Sequence, residues 1–303
     1  MKIVFFGTPD FAVASLSKIY ESGHEVVAVV TAPDKERGRG RKVSCTPVKE
    51  FAIEKNIPVL QPLKLKDEQF VEQLKQIAAD LFVIVAFRIL PVEVFSLPKF
   101  GSINLHGSLL PKYRGAAPIQ WSLINGDSET GVTTFFLKEK VDTGNMILQE
   151  KIKINKDDNF ELLHDKMMIV GADVLLRTIS LIESGKVEGK NQDDAYASPA
   201  PKITRETCKI NWEKSAETIH NLIRGVSPFP GAFFELESKI YKIYKSVRVS
   251  EPQLNPGRIH QTKNELYIGC SEDTLQILEI QPEGRKRMTA EEFLRGYSLI
   301  QGE

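Results

Sequence analysis

Short β-branched runs alternate with helical patterns through the first 150 residues of this 303-residue chain, and this alternation constrains the fold more than any other feature. Several of the runs are apolar on both faces, as in a parallel sheet that helices cover on both sides. Helices are predicted between them at 10–22, 44–56 and 67–78, with a longer amphipathic one at 159–185. The sequence therefore predicts an α/β domain with a doubly wound, mostly parallel sheet. The predicted strands are KIVFFG, EVVAVVT, IPVLQP, DLFVIVA, SINLH and GVTTFFL.

The pattern changes near residue 185, where the polar stretch GKVEGKNQDDAYASPAPKIT is typical of a linker. After a predicted helix at 214–225, evenly spaced strand-like runs with turn signals indicate a small β-barrel. We therefore predict a first domain at 1–188, a linker at 189–203 and a second domain at 204–303.

Composition and charge narrow the class of protein. The formal net charge is zero, so any surface that binds a nucleic acid must be local. Cys45, Cys208 and Cys270 fit no zinc or redox spacing, which favours isolated thiols in a reducing compartment. The amino terminus has no secretory pattern and no apolar run reaches the roughly 20 residues of a membrane span, so we expect a cytoplasmic protein that does not contact a membrane.

Three polar residues are candidates for catalysis. Asn104 and His106, in SINLHGSLLPKYRG, lie two apart at the end of a predicted strand and should point to the same face. The carboxyl ends of the strands in a doubly wound sheet border the ligand crevice. Asp142, in EKVDTGNM, follows the strand GVTTFFL and is expected at the same edge. Without a Ser or Cys nucleophile, an amide, an imidazole and a carboxylate suggest direct group transfer. The alternatives are a polar pair that ties down a loop and a simple turn residue.

These residues carry a resemblance to a known family. The stretch GSINLHGSLLPKYRGAAPIQWSLINGD, with ETGV and VDTGNMI, resembles the folate-dependent formyltransferases. The resemblance runs nearly end to end, and a basic loop and the PFPGAFF region are similar to the branch that formylates methionine on initiator tRNA. It implies an OB-like carboxyl-terminal barrel, 10-formyltetrahydrofolate as formyl donor, initiator methionyl-tRNA as partner, no metal and a monomer. It also implies that Asn104 and His106 stabilise an oxyanion, while Asp142 orients His106 and manages a proton.

The resemblance implies two contacts with folate. One is the turn Ser108, Leu109, Leu110 and Pro111. The other is AFRILP (86–91), with Phe87, Arg88, Ile89 and Leu90, which is one residue shorter than the family's usual aromatic-Gly-x-Ile-Leu-Pro stretch.

A basic loop, PDKERGRGRKVS (33–44), is the candidate tRNA contact, because its cations could neutralise phosphates and its glycines would let the backbone approach a duplex end. The contacting residues implied by the resemblance are Arg37, Arg39, Arg41 and Lys42. A solvated, flexible loop is the alternative. The barrel adds Lys239, Lys242, Lys245 and Arg248 as a basic platform. Two rival functions remain open: formyl transfer to a sugar nucleotide or ribonucleotide, and RNA binding without catalysis.

Overall fold

The computed structural model describes residues 1–37 and 42–300. Packing divides the chain into two compact units. The first unit comprises Met1–Gly115, Thr130–Ile152 and His164–Ala200; the second comprises Ala116–Glu129, Lys153–Leu163 and the chain from Pro201 onward. The domain bounds drawn from the sequence, 1–188, 189–203 and 204–303, stay a prediction.

A mostly parallel sheet forms the centre of the first unit. The strands of this unit are β1 (Lys2–Gly7), β2 (Glu25–Val30), β3 (Lys35–Arg37), β4 (Lys42–Ser44), β5 (Val59–Leu60), β6 (Leu81–Val85), β7 (Ser102–His106), β8 (Arg114–Gly115), β9 (Glu129–Phe136), β10 (Met146–Lys153) and β11 (Pro199–Ala200). Within the described residues the sheet has seven strands in the order β10-β9-β7-β6-β1-β2-β5. β1 pairs in parallel with β2 and β6, β2 with β5, and β6 with β7, whereas β7 and β9 are antiparallel. The predicted fold class is confirmed.

Local chemistry explains where the helices begin. The helix expected at 44–56 starts only at Pro47, because Ser44 belongs to β4 and the Thr46 hydroxyl accepts the Lys49 N–H at 3.1 Å as an N-cap. Asp67 caps the next helix in the same way, accepting from Phe70 N–H at 3.1 Å. The helices are α1 (Asp10–Glu21), α2 (Pro47–Glu54), α3 (Glu68–Ile77), α4 (Val92–Phe95), α5 (Pro118–Ile124), α6 (Phe160–Glu183), α7 (Ala216–Gly225) and α8 (Ala290–Leu294).

The central strands of the first unit are buried on both faces. All residues of β6 and all but the first of β1 are buried, so alternate side chains enter cores on opposite sides of the sheet. On one side, Phe6 packs against Phe82 and Phe87, with ring centroids 5.1 and 5.6 Å away. These aromatic contacts fix the end of β6, from which the chain leaves toward the site.

The second unit holds the predicted barrel strands as an antiparallel, curled sheet of the OB-like kind. The strands are β12 (Ala232–Leu236), β13 (Lys239–Val249), β14 (Ile259–Gln261), β15 (Leu266–Gly269), β16 (Thr274–Pro282) and β17 (Met288–Thr289). Among the described residues their order is β12-β13-β16-β15-β14, and β17 pairs with β16. In the same unit, α5 packs against α7 at Gly225, where a Cβ would lie 2.7 Å from Ile124 Cγ1.

Candidate active site

The His106 imidazole is held by a backbone carbonyl. Its side chain is 7% exposed, and its Nε2 lies 2.8 Å from the carbonyl oxygen of Tyr113. A carbonyl oxygen can only accept, so Nε2 must carry the hydrogen. The second nitrogen, Nδ1, is therefore the atom that is free to gain or lose a proton.

Asp142 lies on the Nδ1 side of that ring. Its Oδ2 is 4.0 Å from Nδ1 and accepts a hydrogen bond from Gly115 N–H at 2.9 Å. The Nδ1–Oδ2 distance is too long for a direct hydrogen bond but fits an arrangement in which one atom bridges the two groups. The Asp142 backbone has φ of 53°, in the left-handed region that costs most residues energy, so the surrounding contacts must hold it there.

Asn104 completes the predicted group. It precedes His106 by two residues on β7 and therefore lies on the same face of the strand. Its side chain is half-buried, and its amide has no hydrogen-bond partner among the described residues. An amide of this kind is available to a ligand. The catalytic roles of the three residues stay a prediction.

Asp142 reaches His106 by a route that differs from the one expected. Because β9 is antiparallel to β7, its last residue, Phe136, pairs with Ile103 at the start of β7 and not with its end. The chain after β9 must therefore fold back, and it packs tightly as it does so: a Cβ on Gly144 would lie 1.5 Å from the Phe136 carbonyl oxygen. Asp142 follows β9 in the chain and lies beside His106, as expected, although β9 itself ends next to the start of β7.

Two side chains, those of Thr133 and Gln149, form hydrogen bonds with the backbone of the predicted folate turn, Ser108 to Pro111. The Thr133 hydroxyl donates to Ser108 O at 2.6 Å and accepts from Leu110 N–H at 3.1 Å. Gln149 Nε2 donates to Leu110 O at 2.8 Å. Ser108 and Leu110 are buried, which leaves Leu109 and Pro111 partly exposed. The turn is a rigid, mostly apolar ledge.

The AFRILP segment presents one large apolar side chain to solvent. Phe87 and Leu90 pack into the core, whereas Ile89 is 72% exposed. Arg88 lies 5.3 Å from the Phe87 ring centroid and donates to the carbonyls of Leu63 and Pro62 at 3.1 and 2.8 Å. Arg88 thus ties this segment to the chain that follows β5.

The basic loop begins and ends in a short hairpin. Arg37 of β3 pairs with Lys42 of β4, while Arg39 and Arg41 lie outside the described residues. Near the base of the hairpin, Lys49 Nζ donates to Asp34 Oδ2 at 2.5 Å and to Gln61 Oε1 at 2.8 Å. The hydrogen bond from Lys49 lowers the pKa of Asp34 from its ordinary value.

Some basic residues of the barrel already form ion pairs or hydrogen bonds within the protein, and others do not. Arg248 contacts Asp273 and Glu217, at 2.6 and 3.4 Å, and Lys242 Nζ donates to Pro230 O at 2.8 Å. Lys239 and Lys245 are exposed and have no ion-pair partner in the described part of the chain. These two lysines are the cations of the predicted platform that remain available.

Several residues that support the site were missed from the sequence. Thr133 and Gln149 hold the folate turn, Gln192 contacts the Asp142 turn, and Arg114 contacts Gln192. Thr133 could have been recognised as a supporting residue because it is polar at a buried strand position. Gln192 could not, because it lies in the stretch that was interpreted as a linker.

Other kinds of site are not indicated by the described residues. They contain no group of three or more His, Cys, Asp or Glu side chains placed to hold a metal, and their three cysteines are free thiols. No helix in the described ranges has the length and apolar character to cross a membrane.

Comparison with known families agrees with this geometry. A model described as formyl transferase matches residues 1–179, and one described as formyl transferase, C-terminal domain, matches residues 202–298. The chain belongs to the formyl transferase family. The first match contains Asn104, His106 and Asp142.

Among the family members to which the chain is similar, the methionyl-tRNA formyltransferase of Caldanaerobacter subterraneus subsp. tengcongensis is 46% identical over 308 residues, covering 100% of this chain and 99% of that one. The enzyme of the same name from Thermodesulfovibrio yellowstonii is 46% identical, covering 99% and 97%. The solved structure of the N-formyltransferase from Helicobacter canadensis, in complex with folinic acid and dTDP-3-aminofucose, has a TM-score of 0.70 at 25% identity, covering 91% of this chain and 98% of that one.

Proposed function

We propose that this family member transfers the formyl group of 10-formyltetrahydrofolate to the α-amino group of methionine on initiator tRNA, giving N-formylmethionyl-tRNA for translation initiation. The observation that carries the proposal is the likeness, over essentially its full length, to proteins named methionyl-tRNA formyltransferase. The placement of the Asp142 carboxylate beside the buried His106 imidazole supports it, because a hydrogen-bond donor beside a proton acceptor can serve general acid–base chemistry.

Asn104 and His106 stabilise negative charge on the formyl oxygen. When the methionine amine attacks the formyl carbon, that oxygen becomes an oxyanion. The unpartnered Asn104 amide can donate to it, and so can Nδ1–H of His106 once the ring is cationic, because Nε2 is already committed to Tyr113 O. Donors fixed before the reaction stabilise such charge without having to reorganise.

Asp142 handles the proton that the attacking amine must lose. As the new C–N bond forms, the amine nitrogen becomes cationic and gives up one proton, while folate N10 must gain one as its bond to carbon breaks. We assign to the Asp142 carboxylate, acting through a water, the transfer of this proton between the two nitrogens, because it is the carboxylate beside His106. The number of protons is conserved, and no metal is needed for this balance.

The ledge of Leu109 and Pro111 and the exposed Ile89 provide apolar surface for the folate ring system. Both segments adjoin the strands that carry the site: Ile89 follows β6 and the ledge follows β7, which are hydrogen-bonded neighbours. Apolar walls with a few fixed polar groups are typical of small-molecule sites.

Contacts with tRNA are assigned to two basic surfaces. Arg37, Arg39, Arg41 and Lys42 of the hairpin loop, with Lys239 and Lys245 of the barrel, would contact phosphates, since such contacts supply most sequence-independent affinity. From the family resemblance we further propose that the protein acts as a monomer in the cytoplasm.

The direct test is a formylation assay with purified protein, 10-formyltetrahydrofolate and charged initiator tRNA. Formylmethionine is expected on initiator tRNA, and much less on a charged elongator methionine tRNA. A third reaction offers dTDP-3-aminofucose as the amine. Formyl transfer to the amino sugar but not to the tRNA would overturn the proposal in favour of the sugar-nucleotide alternative, and binding of tRNA without any transfer would favour the RNA-binding alternative.

A further inference from the structure

Asp142 is held on two sides by one dipeptide. Gly115 N–H donates to its carboxylate oxygen Oδ2 at 2.9 Å. The side chain of the preceding residue, Arg114, donates through Nε and Nη2 to Oε1 of Gln192, at 3.0 and 2.7 Å. Gln192 Nε2 in turn donates to the backbone carbonyl of Asp142 at 2.8 Å. Side chain and backbone of Asp142 are therefore fixed from the same short strand, β8.

The chemistry of these contacts allows only one orientation of the Gln192 amide. Arg114 can only donate, so the oxygen of the amide must face it. The NH2 group then faces the carbonyls of Asp142 and Gly144, at 2.8 and 2.9 Å, which can only accept. The amide donates to both carbonyls, and it thereby spans the turn in which Asp142 has a positive φ.

The position of β8 is itself fixed. It pairs in parallel with β11, and Arg114 N–H donates to Ser198 O at 2.8 Å. A Cβ on Gly115 would lie 2.6 Å from the Ala200 carbonyl oxygen, so only glycine fits there. Tyr113, the next residue back, accepts the hydrogen bond from His106. The backbone at 113–115 thus sets the position of His106 and Asp142 together.

We propose that Gln192, oriented by Arg114, is a positioning residue for Asp142: it holds the Asp142 turn so that the carboxylate stays across from Nδ1 of His106. The proposal rests on the catalytic role of Asp142 in the proposed function. It assigns a function to residues in the stretch that the sequence indicated was a linker.

The ion pair between Arg114 and Asp194 should contribute less to the position of Asp142 than the hydrogen bonds of Gln192 do. Arg114 also pairs with Asp194 at 2.7 Å, but the Asp194 side chain is 70% exposed whereas that of Arg114 is 14% exposed. Ion pairs with an exposed partner contribute little. The hydrogen bonds of Gln192 on the Asp142 side are therefore the contacts to test.

The test variant is Gln192→Glu, which keeps the shape and the acceptor for Arg114 but replaces the NH2 donors with an acceptor. Its carboxylate would face two carbonyls, and the Asp142 turn should shift. Turnover, kcat, should fall about 10- to 100-fold, in the range associated with loss of positioning, while KM for both substrates changes less than about threefold. Gln76→Glu, the same change on the exposed face of α3, is the matched control and should leave kcat unchanged.

Two further measurements separate positioning from a general structural role. In an Asp142→Ala background, Gln192→Glu should cause no additional loss of kcat, since a residue that acts through Asp142 has nothing left to position. Hydrogen exchange of the Gly115 amide, measured without substrate, should become at least about tenfold faster in Gln192→Glu, because its acceptor is Asp142.

The outcomes are distinguishable. Wild-type kcat and unchanged Gly115 exchange in a folded Gln192→Glu protein would overturn the positioning role. An equal loss of kcat with and without Asp142 would also overturn it, and would indicate a structural role instead. If Gly115 exchange accelerates as expected but the wild-type protein transfers no formyl group to charged initiator tRNA, the hold on Asp142 is supported and the proposed function fails.

Discussion

Nδ1 of His106 faces Oδ2 of Asp142 across 4.0 Å, while the opposite ring nitrogen donates to a backbone carbonyl. The carbonyl fixes the proton on Nε2, so the ring can change its charge only at Nδ1. The space between Nδ1 and Oδ2 leaves room for one bridging atom, such as a water oxygen, so His106 and Asp142 have the geometry of a proton relay.

The unpartnered amide of Asn104 predicts a strong effect on turnover. Asn104→Asp keeps the size of the side chain but removes its donor and adds a negative charge beside the developing oxyanion. We expect kcat to fall about 10²- to 10³-fold or more, the usual cost of losing one such donor. Asn56→Asp, the same substitution at an exposed asparagine of the first unit, is the control. Formylation kinetics with near-normal kcat in Asn104→Asp would contradict the oxyanion role.

The hydrogen bonds of Thr133 predict an effect on folate binding. Thr133→Val removes the hydroxyl that bonds Ser108 O and Leu110 N–H, so the folate turn should loosen. We expect a loss of about 1–3 kcal/mol in the free energy of unfolding, because buried partners are left unpaired, and a several-fold rise in the KM for 10-formyltetrahydrofolate.

The neighbouring Thr134→Val is the matched control. Its hydroxyl is equally buried and bonds Thr178 at 2.7 Å, away from the folate turn. It should destabilise the protein by a similar amount without changing the KM for folate. Equal KM values in the two variants, measured at a temperature where both are folded, would count against the assigned role of the turn.

Much of the fold could be predicted because its signals are local. The runs that became β1, β6 and β7 are short, largely apolar and mostly buried on both faces. The Asn104 and His106 pair could be found because strand alternation places residues two apart on one face.

The supporting contacts could not be predicted because they join distant parts of the chain. Gln192 meets Asp142 only because β8 and β11 pair, and two-residue strands leave no periodic pattern in the sequence. The antiparallel direction of β9 was also hidden, since an apolar run such as GVTTFFL does not encode the direction of its partner. Polar residues such as those at 190–195 are equally typical of a linker and of a fixed loop.

The exposure of Ile89 predicts that this residue of the shortened AFRILP segment contacts the folate. Ile89→Asp places a charge at a side chain that is 72% exposed, so the fold should tolerate it, but apolar contact with the folate ring should be lost. The KM for 10-formyltetrahydrofolate should rise about tenfold, with little change in the melting temperature. Ile53→Asp, at an isoleucine 57% exposed on α2, is the control and should change neither. An unchanged KM in Ile89→Asp would exclude this contact.

His220 predicts how the stability of the second unit depends on pH. Burial, and secondarily the nearby Arg224 guanidinium, lowers the pKa of His220 from its ordinary value of about 6.5. Its Nδ1 lies 3.1 Å from the buried Ser246 hydroxyl. Between the folded and unfolded pKa values the unfolded chain binds more protons, so stability must fall as pH is lowered below about 6.5.

Replacing this histidine should flatten that dependence. Both tryptophans, Trp121 and Trp212, belong to the second unit, so their fluorescence can follow its urea unfolding between about pH 7.5 and 5.5. His220→Gln, which can still bond Ser246, should lose less stability over this interval than the wild-type protein does. His260→Gln removes an exposed histidine of the same unit and should keep the wild-type slope. If His220→Gln also keeps that slope, protonation of His220 is not what weakens the unit at low pH.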